Sequence, residues 1–522
     1  MASETTHDVA HTAMTLIDQL PVLQILIPLV AAPLLVLLGT KRLSWAITFI
    51  ASVLAFVVSI ALLWLVKDGG FISYELGGWA PPLGIEYRVD AANAFVLLLI
   101  SGISTVILPF AYTSVRAEIA ERHHTLFYSC YLLCLTGLLG VVITGDAFNV
   151  FVFLEISSLS TYALIATGAG KNKRALTAAY DYLVMGTIGA TFFVIGLGFL
   201  YMATGTLNMA DIAERIADQG ANRTIQAAFA FIIVGMGLKA AIYPLHLWLP
   251  NAYTYAPSAV TVFLAATATK AAIYVILRFS FSIFQPEFMF ETLTFEYLVL
   301  PLALLAMFAA SFIAIFQTDL KRLLAYSSLA QIGYMLLGIA LMNETGITAA
   351  IVHLFNHGIT KAVLFMGVGA IVLRTGSSFL YRIQGMGRVM PVTAAAMVVG
   401  GLSLIGVPGT AGFISKWVLV QGALEKGWWP IAVLIVLSSL LAVIYVWRMV
   451  EILYLSSPVV GADKREAPLT MTIPMVIMAV ACVYFGFATD ITIGASTTAA
   501  QGLLGGTTGM IEVIETATQA GH

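Results

Sequence analysis

An all-α polytopic membrane protein is the fold class this sequence predicts, and three observations carry the prediction. Of 522 residues, 60% are hydrophobic and only 10% are charged, with a mean hydropathy of +0.96. A soluble chain of that composition could not cover its own surface with polar groups. Apolar runs of about 18 to 30 residues recur from Val22 to Gly486, each long enough to cross roughly 30 Å of hydrocarbon as a helix. Inside those runs stand only a few charges, Glu155, Lys239, Lys270, Lys361 and Lys416 among them. Each costs roughly 2.5–3.5 kcal/mol near the bilayer centre on insertion scales, so five together must be justified by packing or by function.

The elements follow in order. The first twenty residues hold no Lys or Arg and so lack the charged start of a secretory signal peptide, and the first span is expected to be retained. Fourteen spans are expected, beginning near residues 22, 43, 92, 125, 147, 177, 226, 257, 297, 323, 346, 391, 430 and 469. With both termini outside, the inward loops carry Lys41, Arg42, Arg116, Arg122, Lys171, Lys173, Arg174, Lys321, Arg322, Arg374, Arg382, Arg388, Lys464 and Arg465. The outward loops and span ends hold only Lys67, Arg88, Arg215, Arg223, Arg278 and Lys426. Under the positive-inside rule this asymmetry predicts that both ends face away from the cytoplasm.

Residues 68–90 are rich in Gly and aromatics and contain Pro81 and Pro82, which predicts a hairpin-like extracytoplasmic loop. In Asn208 to Gly220, Ile212, Ile216 and Ala217 recur at helical spacing opposite Asp211, Glu214, Arg215 and Asp218, the pattern of a helix lying along the interface. Two spans are expected to be broken. The seventh meets Tyr243-Pro244 just after Lys239, and the twelfth is interrupted by Gly406, Pro408, Gly409 and Gly412. Five spans separate the two breaks, so the helices run in opposite directions, as in an inverted repeat of five helices. The expected organisation is residues 1–124 as three N-terminal helices, 125–280 and 297–454 as two repeats, and 469–522 as a last helix with a tail. A match between residues 173–183 and 321–331 reads as chance, because both segments follow inward loops.

Lys239 lies about 13 residues into its span, roughly 20 Å along a helix, where snorkelling is difficult. A lysine answers desolvation and a nearby carboxylate in opposite senses, so it can load or release a proton when its partner moves. Glu155, mid-span in the fifth helix, is its expected partner. Lys270, one span later, is placed to pass the proton on, the competing reading being a lysine satisfied by Thr267 and Thr269. His353, His357 and Lys361 share one face of the eleventh span at i, i+4 and i+8, a proton wire more readily than a metal site because no third ligand is near. His246 falls two turns after Lys239, across the Pro244 break, and is assigned to the same axis. Lys416 follows Pro408 by eight residues and is assigned to the exit, with snorkelling as the alternative. Asp146 and Asp181 read as helix-terminal charges, and Cys130, Cys134 and Cys482 as small apolar residues. No phosphate loop, nucleophile elbow or haem motif occurs, and no cofactor or metal is expected.

The runs FNVFVFLEISSLSTYAL at 148–164, GLKAAIYPLHLWLPNAYTYAPSAV at 237–260 and HLFNHGITKAVLF at 353–365 resemble the antiporter-like subunits. That family is shared by Mrp-type multisubunit sodium/proton antiporters, the proton-pumping arm of respiratory complex I and membrane-bound hydrogenases. The resemblance covers nearly the whole chain. It implies fourteen helices with two inverted five-helix repeats, and puts the half-channel pair on Glu155 and Lys239, the connecting lysine on Lys270, the central histidines on His353 and His357, and the terminal lysine on Lys416. It further implies a subunit of a hetero-oligomeric complex in a bacterial inner membrane, exchanging protons for a monovalent cation, sodium foremost. The lysine at 416 and the chain length favour the D-type component of the antiporter, and a redox-driven pump is the alternative.

Overall fold

The computed structural model describes residues 16–39, 41–220, 222–285, 295–457 and 465–505. The N-terminal 15 residues, Lys464 and the tail from 506 lie outside the described residues, and so do the expectations that rest on them. Among the described residues, thirteen helices are long and apolar enough to cross a membrane, and the chain is an all-α multi-pass membrane protein. Helices α1 (Leu20–Leu38), α2 (Lys41–Val66), α3 (Ala91–Glu118), α4 (His124–Ile143), α5 (Ala147–Ala166) and α6 (Arg174–Thr204) come first. After the short α7 (Met209–Gln219) follow α8 (Arg223–Ala240), α9 (Trp248–Tyr255), α10 (Ser258–Leu277), α11 (Phe295–Ile315), α12 (Leu320–Leu341) and α13 (Glu344–Thr375). The one-turn α14 (Met386–Val389) leads to α15 (Pro391–Ile405), α16 (Ala411–Glu425), α17 (Trp429–Tyr454), α18 (Leu469–Phe487) and α19 (Thr489–Leu504). The expected span starts fall within three residues of these boundaries.

Residues 68–90 form the expected hairpin: β1 (Ile72–Glu75) pairs antiparallel with β2 (Glu86–Val89), Ile72 opposite Val89 and Glu75 opposite Glu86. On α7 the side chain of Asn208 caps the first turn, while Ile212, Ala213 and Ile216 are buried. Ala217, expected on that apolar face, is exposed and Ala213 takes its place. Within the expected tail after the last span, α19 packs its Ala499, Ala500 and Leu503 inward.

At both expected interruptions the helix stops. The chain leaves α8 at Ala241, which takes a left-handed backbone at φ 57°, and is not helical again until α9. Proline biases the residue before it away from helical backbone, so the end falls ahead of Pro244. α15 stops at Gly406, φ 88°, and α16 begins at Ala411. Neither α15 nor α16 is long enough alone to cross hydrocarbon, each spanning roughly 22 Å. A Cβ on Gly412 would lie 1.8 Å from the carbonyl oxygen of Ser403, so the second half-helix can start there only with glycine.

Two clasps of the same design hold the helix pairs α5/α6 and α12/α13. Asp146 caps α5 by accepting from the Asn149 amide at 2.7 Å, while Ala147 N donates to Leu207 O at 2.8 Å and Met209 N to Gly145 O at 2.9 Å. Asp319 caps α12 by accepting from the Arg322 amide at 3.2 Å, while Leu320 N donates to Ser378 O and Leu380 N to Thr318 O, both at 2.9 Å. α6 and α13 also end alike. Thr204 and Thr375 turn their hydroxyls to the carbonyls of Leu200 and Ile371, and Gly205 and Gly376 follow at φ 71° and 68°. Counting α8 and α9 as one pass, the clasps stand five passes apart.

Candidate functional site

Close helix packing positions the charged residues, because lipid offers no hydrophobic drive for helix association and contact must come from small residues and hydrogen bonds. α4 meets α5 at Gly137 and Gly140, where a Cβ would come within 2.5 Å of the Ser157 amide and 2.3 Å of the Phe153 ring. That contact fixes Glu155, Ser157 and Ser158. α6 meets α8 at Gly189 and Gly235, each of which would put a Cβ within 3 Å of the other's carbonyl. One turn beyond Gly235, the Lys239 ammonium donates to Ser158 Oγ at 2.5 Å and stands 4.0 Å from Glu155 Oε1. The expected pair is therefore present at the outer limit of an ion pair, with a serine as the lysine's first partner. The Lys239 side chain is 7% exposed, whereas that of Glu155 is 29% exposed.

His246 does not share a helix face with Lys239, since residues 241–247 are not helical. Its ring instead stacks on Tyr243 at 4.8 Å and meets Tyr326 of α12 edge-on at 6.4 Å, which sets it between the α8 end and α12. Lys270, fully buried, donates to the carbonyl of Ala265 and to Thr269 Oγ1 at 3.4 Å. Thr267 is not its partner; that hydroxyl turns to Phe263 O at 2.7 Å. The Lys270 charge is within electrostatic range of His353, His357 and Lys361.

On α13 the rings of His353 and His357 lie 6.1 Å apart and 2° from parallel. His353 Nδ1 hydrogen-bonds Ser415 Oγ at 2.8 Å, and neither ring nitrogen of His357 has a partner among the described residues. Lys361, also fully buried, donates to Leu324 O at 2.9 Å and Ser327 Oγ at 2.5 Å, both on α12. Lys416 is 6% exposed and does not snorkel. Its ammonium donates to Leu404 O at 3.1 Å and Ile405 O at 2.9 Å, the carbonyls left open where α15 stops. It also sits 4.7 Å above the Tyr334 ring, which in turn lies 5.6 Å from His353. Lys416, Tyr334, His353 and Ser415 thus form one cluster, and Lys239 with Glu155 and Ser158 another.

Sequence reasoning missed Ser158, Ser327, Ser415 and Tyr334 as partners, and it counted Arg278 and Lys321 only as loop and span-end charges. Arg278 pairs with Asp90 at 2.7 Å, joining the end of α10 to the start of α3. Lys321 is buried and donates to Ala256 O at 3.1 Å. Cavities of about 590 and 600 Å³ open at opposite ends of α3, the first beside Glu118, Lys321 and Arg322, the second beside Arg88, Asp90 and Arg278. Among the described residues no group of three or more potential metal ligands converges.

A multi-pass bundle whose interior carries a row of lysines and histidines belongs to the class of ion-translocating membrane proteins by its construction. The transmembrane family described as NADH:quinone oxidoreductase/Mrp antiporter matches residues 144–442, and the chain is a member of that family. The N subunit of the NADH-quinone oxidoreductase of Desulforudis audaxviator (strain MP104C) is 38% identical over 485 residues, covering 90% of this chain and 95% of the relative. The D-type component of the Na(+)/H(+) antiporter of Bacillus subtilis (strain 168) is 33% identical over 430 residues, covering 82% and 85%. A chain of the Mrp complex from Dietzia sp. DQ12-45-1b superimposes with a TM-score of 0.87 at 26% identity, covering 94% of this chain and 98% of that one. A chain of the membrane-bound sulfane sulfur reductase, an archaeal respiratory complex, gives 0.85 at 30% identity, covering 93% and 98%.

Proposed function

We propose that this chain is the proton-translocating subunit of a multisubunit monovalent cation/proton antiporter, with sodium as the exchanged cation. Protons move along Glu155, Lys239, His246, Lys270, His353, His357, Lys361 and Lys416 in a bacterial inner membrane, with both termini outside the cytoplasm. The observation that carries the reading is the burial of Lys270, Lys361, Lys416 and the three histidines, with the Lys239 side chain only 7% exposed, in a chain whose antiporter relatives match most of its length. Such residues persist in membranes where they serve a pathway, because apolar replacements would lower the insertion cost. The paired clasps and matching helix ends support two five-helix repeats of opposite orientation, α4–α10 and α11–α17, with α8/α9 and α15/α16 as their interrupted spans. Buried ring nitrogens of His246, His353 and His357 that lack a partner among the described residues are the atoms a file of water would bond. The chain carries out no covalent chemistry in this reading and relies on other subunits for activity.

A second reading, a proton pump powered by redox chemistry elsewhere in a complex, is favoured by the 38% identity to an oxidoreductase N subunit. The test is cation-dependent proton movement in everted vesicles of an antiporter-deficient strain expressing the full gene cluster. Sodium-triggered collapse of a ΔpH, absent with Lys239→Ala, is the expected result. Proton pumping that responds to NADH or hydrogen and not to sodium assigns the chain to the second reading, and transport untouched by Lys239→Ala overturns the axis.

A further inference from the structure

α5 and α12 carry the same hexapeptide pattern at matching places, Leu154-Glu155-Ile156-Ser157-Ser158-Leu159 and Leu324-Ala325-Tyr326-Ser327-Ser328-Leu329. In each, both serine hydroxyls point to the carbonyl of the leading leucine. Ser157 and Ser158 lie 2.9 and 2.7 Å from Leu154 O, and Ser327 and Ser328 lie 2.9 and 3.0 Å from Leu324 O. Each helix then receives one buried lysine from another helix on one of its serines: Lys239 on Ser158 and Lys361 on Ser327, both at 2.5 Å. A hydroxyl that gives its hydrogen to a carbonyl presents lone pairs outward, and these accept from a buried ammonium.

The two seats differ in one residue. Glu155 occupies the second position of the first pattern, and Ala325 occupies it in the second. Lys239 therefore chooses between a serine in contact and a carboxylate 4.0 Å away. Lys361 has the serine and the Leu324 carbonyl. Its other titratable neighbours are Lys270 and, on its own helix face, His357. Among the described residues, Glu155 is the charged group whose field reaches Lys239.

We infer that Ser158 and Ser327 are positioning residues that seat two of the four transport lysines, Ser158 by holding Lys239 off Glu155 and Ser327 by holding Lys361 on α12. This rests on the proton-axis reading above. Without Ser158 the ammonium closes on Glu155 and retains its proton more firmly, so transport needs a higher pH. Without Ser327 the ammonium of Lys361 loses one of its two acceptors and keeps the Leu324 carbonyl, with no carboxylate to close on as Lys239 has, and it holds its proton less firmly, so transport needs a lower pH. The same substitution in the two seats thus moves the pH profile in opposite directions.

The experiment compares Ser158→Ala, Ser158→Thr, Ser327→Ala and Ser327→Thr with Lys239→Ala in the assembled complex, recording cation-dependent proton movement in everted vesicles from about pH 6 to 9, the range a desolvated lysine can titrate. The alanine variants are expected to lower the maximal rate about tenfold and shift the optimum by about one pH unit, upward for Ser158 and downward for Ser327. The threonine variants are expected to restore both. If either alanine variant fails to assemble, Ser→Cys replaces it, which keeps the volume and weakens the acceptor. Unshifted profiles, or shifts in the same direction, with transport still lost in Lys239→Ala, overturn the seating inference and leave the axis standing. Transport that survives Lys239→Ala overturns the axis, and the seating inference with it.

Discussion

At the residue scale, the lysines of this chain are legible in sequence and their partners are not. A charge inside an apolar run is conspicuous because composition leaves it nowhere else to be. A serine or threonine in a membrane helix is silent, since its hydroxyl ordinarily bonds the carbonyl three or four residues back, as Thr267 does with Phe263. Lys416 shows what its surroundings add: it is held by two carbonyls at the end of α15 and by the face of Tyr334, and burial rather than a carboxylate dominates its setting. A buried cation without a counter-charge costs stability and is kept for what it does. Replacing it by Met, which fills nearly the same volume, is expected to reduce proton movement more than tenfold while leaving the thermal midpoint of the purified complex unchanged or higher. A fall in both would make the lysine a structural strut between α15 and α16. Glu155→Gln tests the other end of the row. It removes the charge 4.0 Å from Lys239 and leaves the Ser158 contact, and a rate lowered about tenfold with full assembly is expected in the vesicle assay.

At the element scale, helix starts are readable to within three residues because caps and prolines mark them, as with Asp146 before α5, Asp319 before α12 and Pro391 opening α15. His246 is misplaced by sequence because a helix face extended from Lys239 passes through Ala241, and nothing at that position announces a left-handed alanine. Residues 321–331, whose likeness to 173–183 at the start of α6 reads as chance, also match the middle of α5 through Leu-x-x-Ser-Ser-Leu, five spans back. What ties the elements together is also testable. Asp90 caps α3 and pairs with Arg278, just past the end of α10; burial alone would raise its carboxyl, but the guanidinium charge and the hydrogen bonds it receives hold it below the usual carboxylate range. A depressed carboxyl stabilises the fold above its ordinary titration range and loses that contribution as pH falls through its lowered value. Asp90→Asn leaves Arg278 without its counter-charge and is expected to cost about 3 kcal/mol, read as a lower thermal midpoint at neutral pH, with the difference from wild type closing in acid. Gly235→Leu is expected to separate α8 from α6 and to abolish transport along with the Lys239–Ser158 contact, whereas Gly198→Leu, at an exposed position on α6 with open space around its Cα, is expected to be tolerated.

At the scale of the whole molecule, the two clusters raise the question of whether the halves carry protons in series or side by side. Lys239 with Glu155 and Ser158 stands apart from the cluster of Lys416, Tyr334, His353 and Ser415. Lys270 is felt electrically by the histidines, and His246 lies against Tyr326, next to the serine that seats Lys361. The groups named between the two clusters, Lys270, Tyr326, Ser327, Lys361 and His246, belong to α10, α12, α13 and the α8–α9 turn, where the two proposed repeats adjoin. Such an arrangement fits one path in series, in which removing either terminal lysine blocks the whole. Lys239→Ala and Lys416→Ala are then each expected to bring cation-dependent proton movement below a tenth of wild type, and the double variant to be no worse than either, the non-additivity of groups that act as a unit. Two independent paths would behave otherwise: each single variant would retain about half the rate, and only the double would abolish it, because the remaining path would still run. The vesicle assay separates these outcomes without any structural measurement. It also decides which neighbouring groups matter, since in a series path Lys270→Ala must be as damaging as either terminal variant, although Lys270 touches neither terminal lysine.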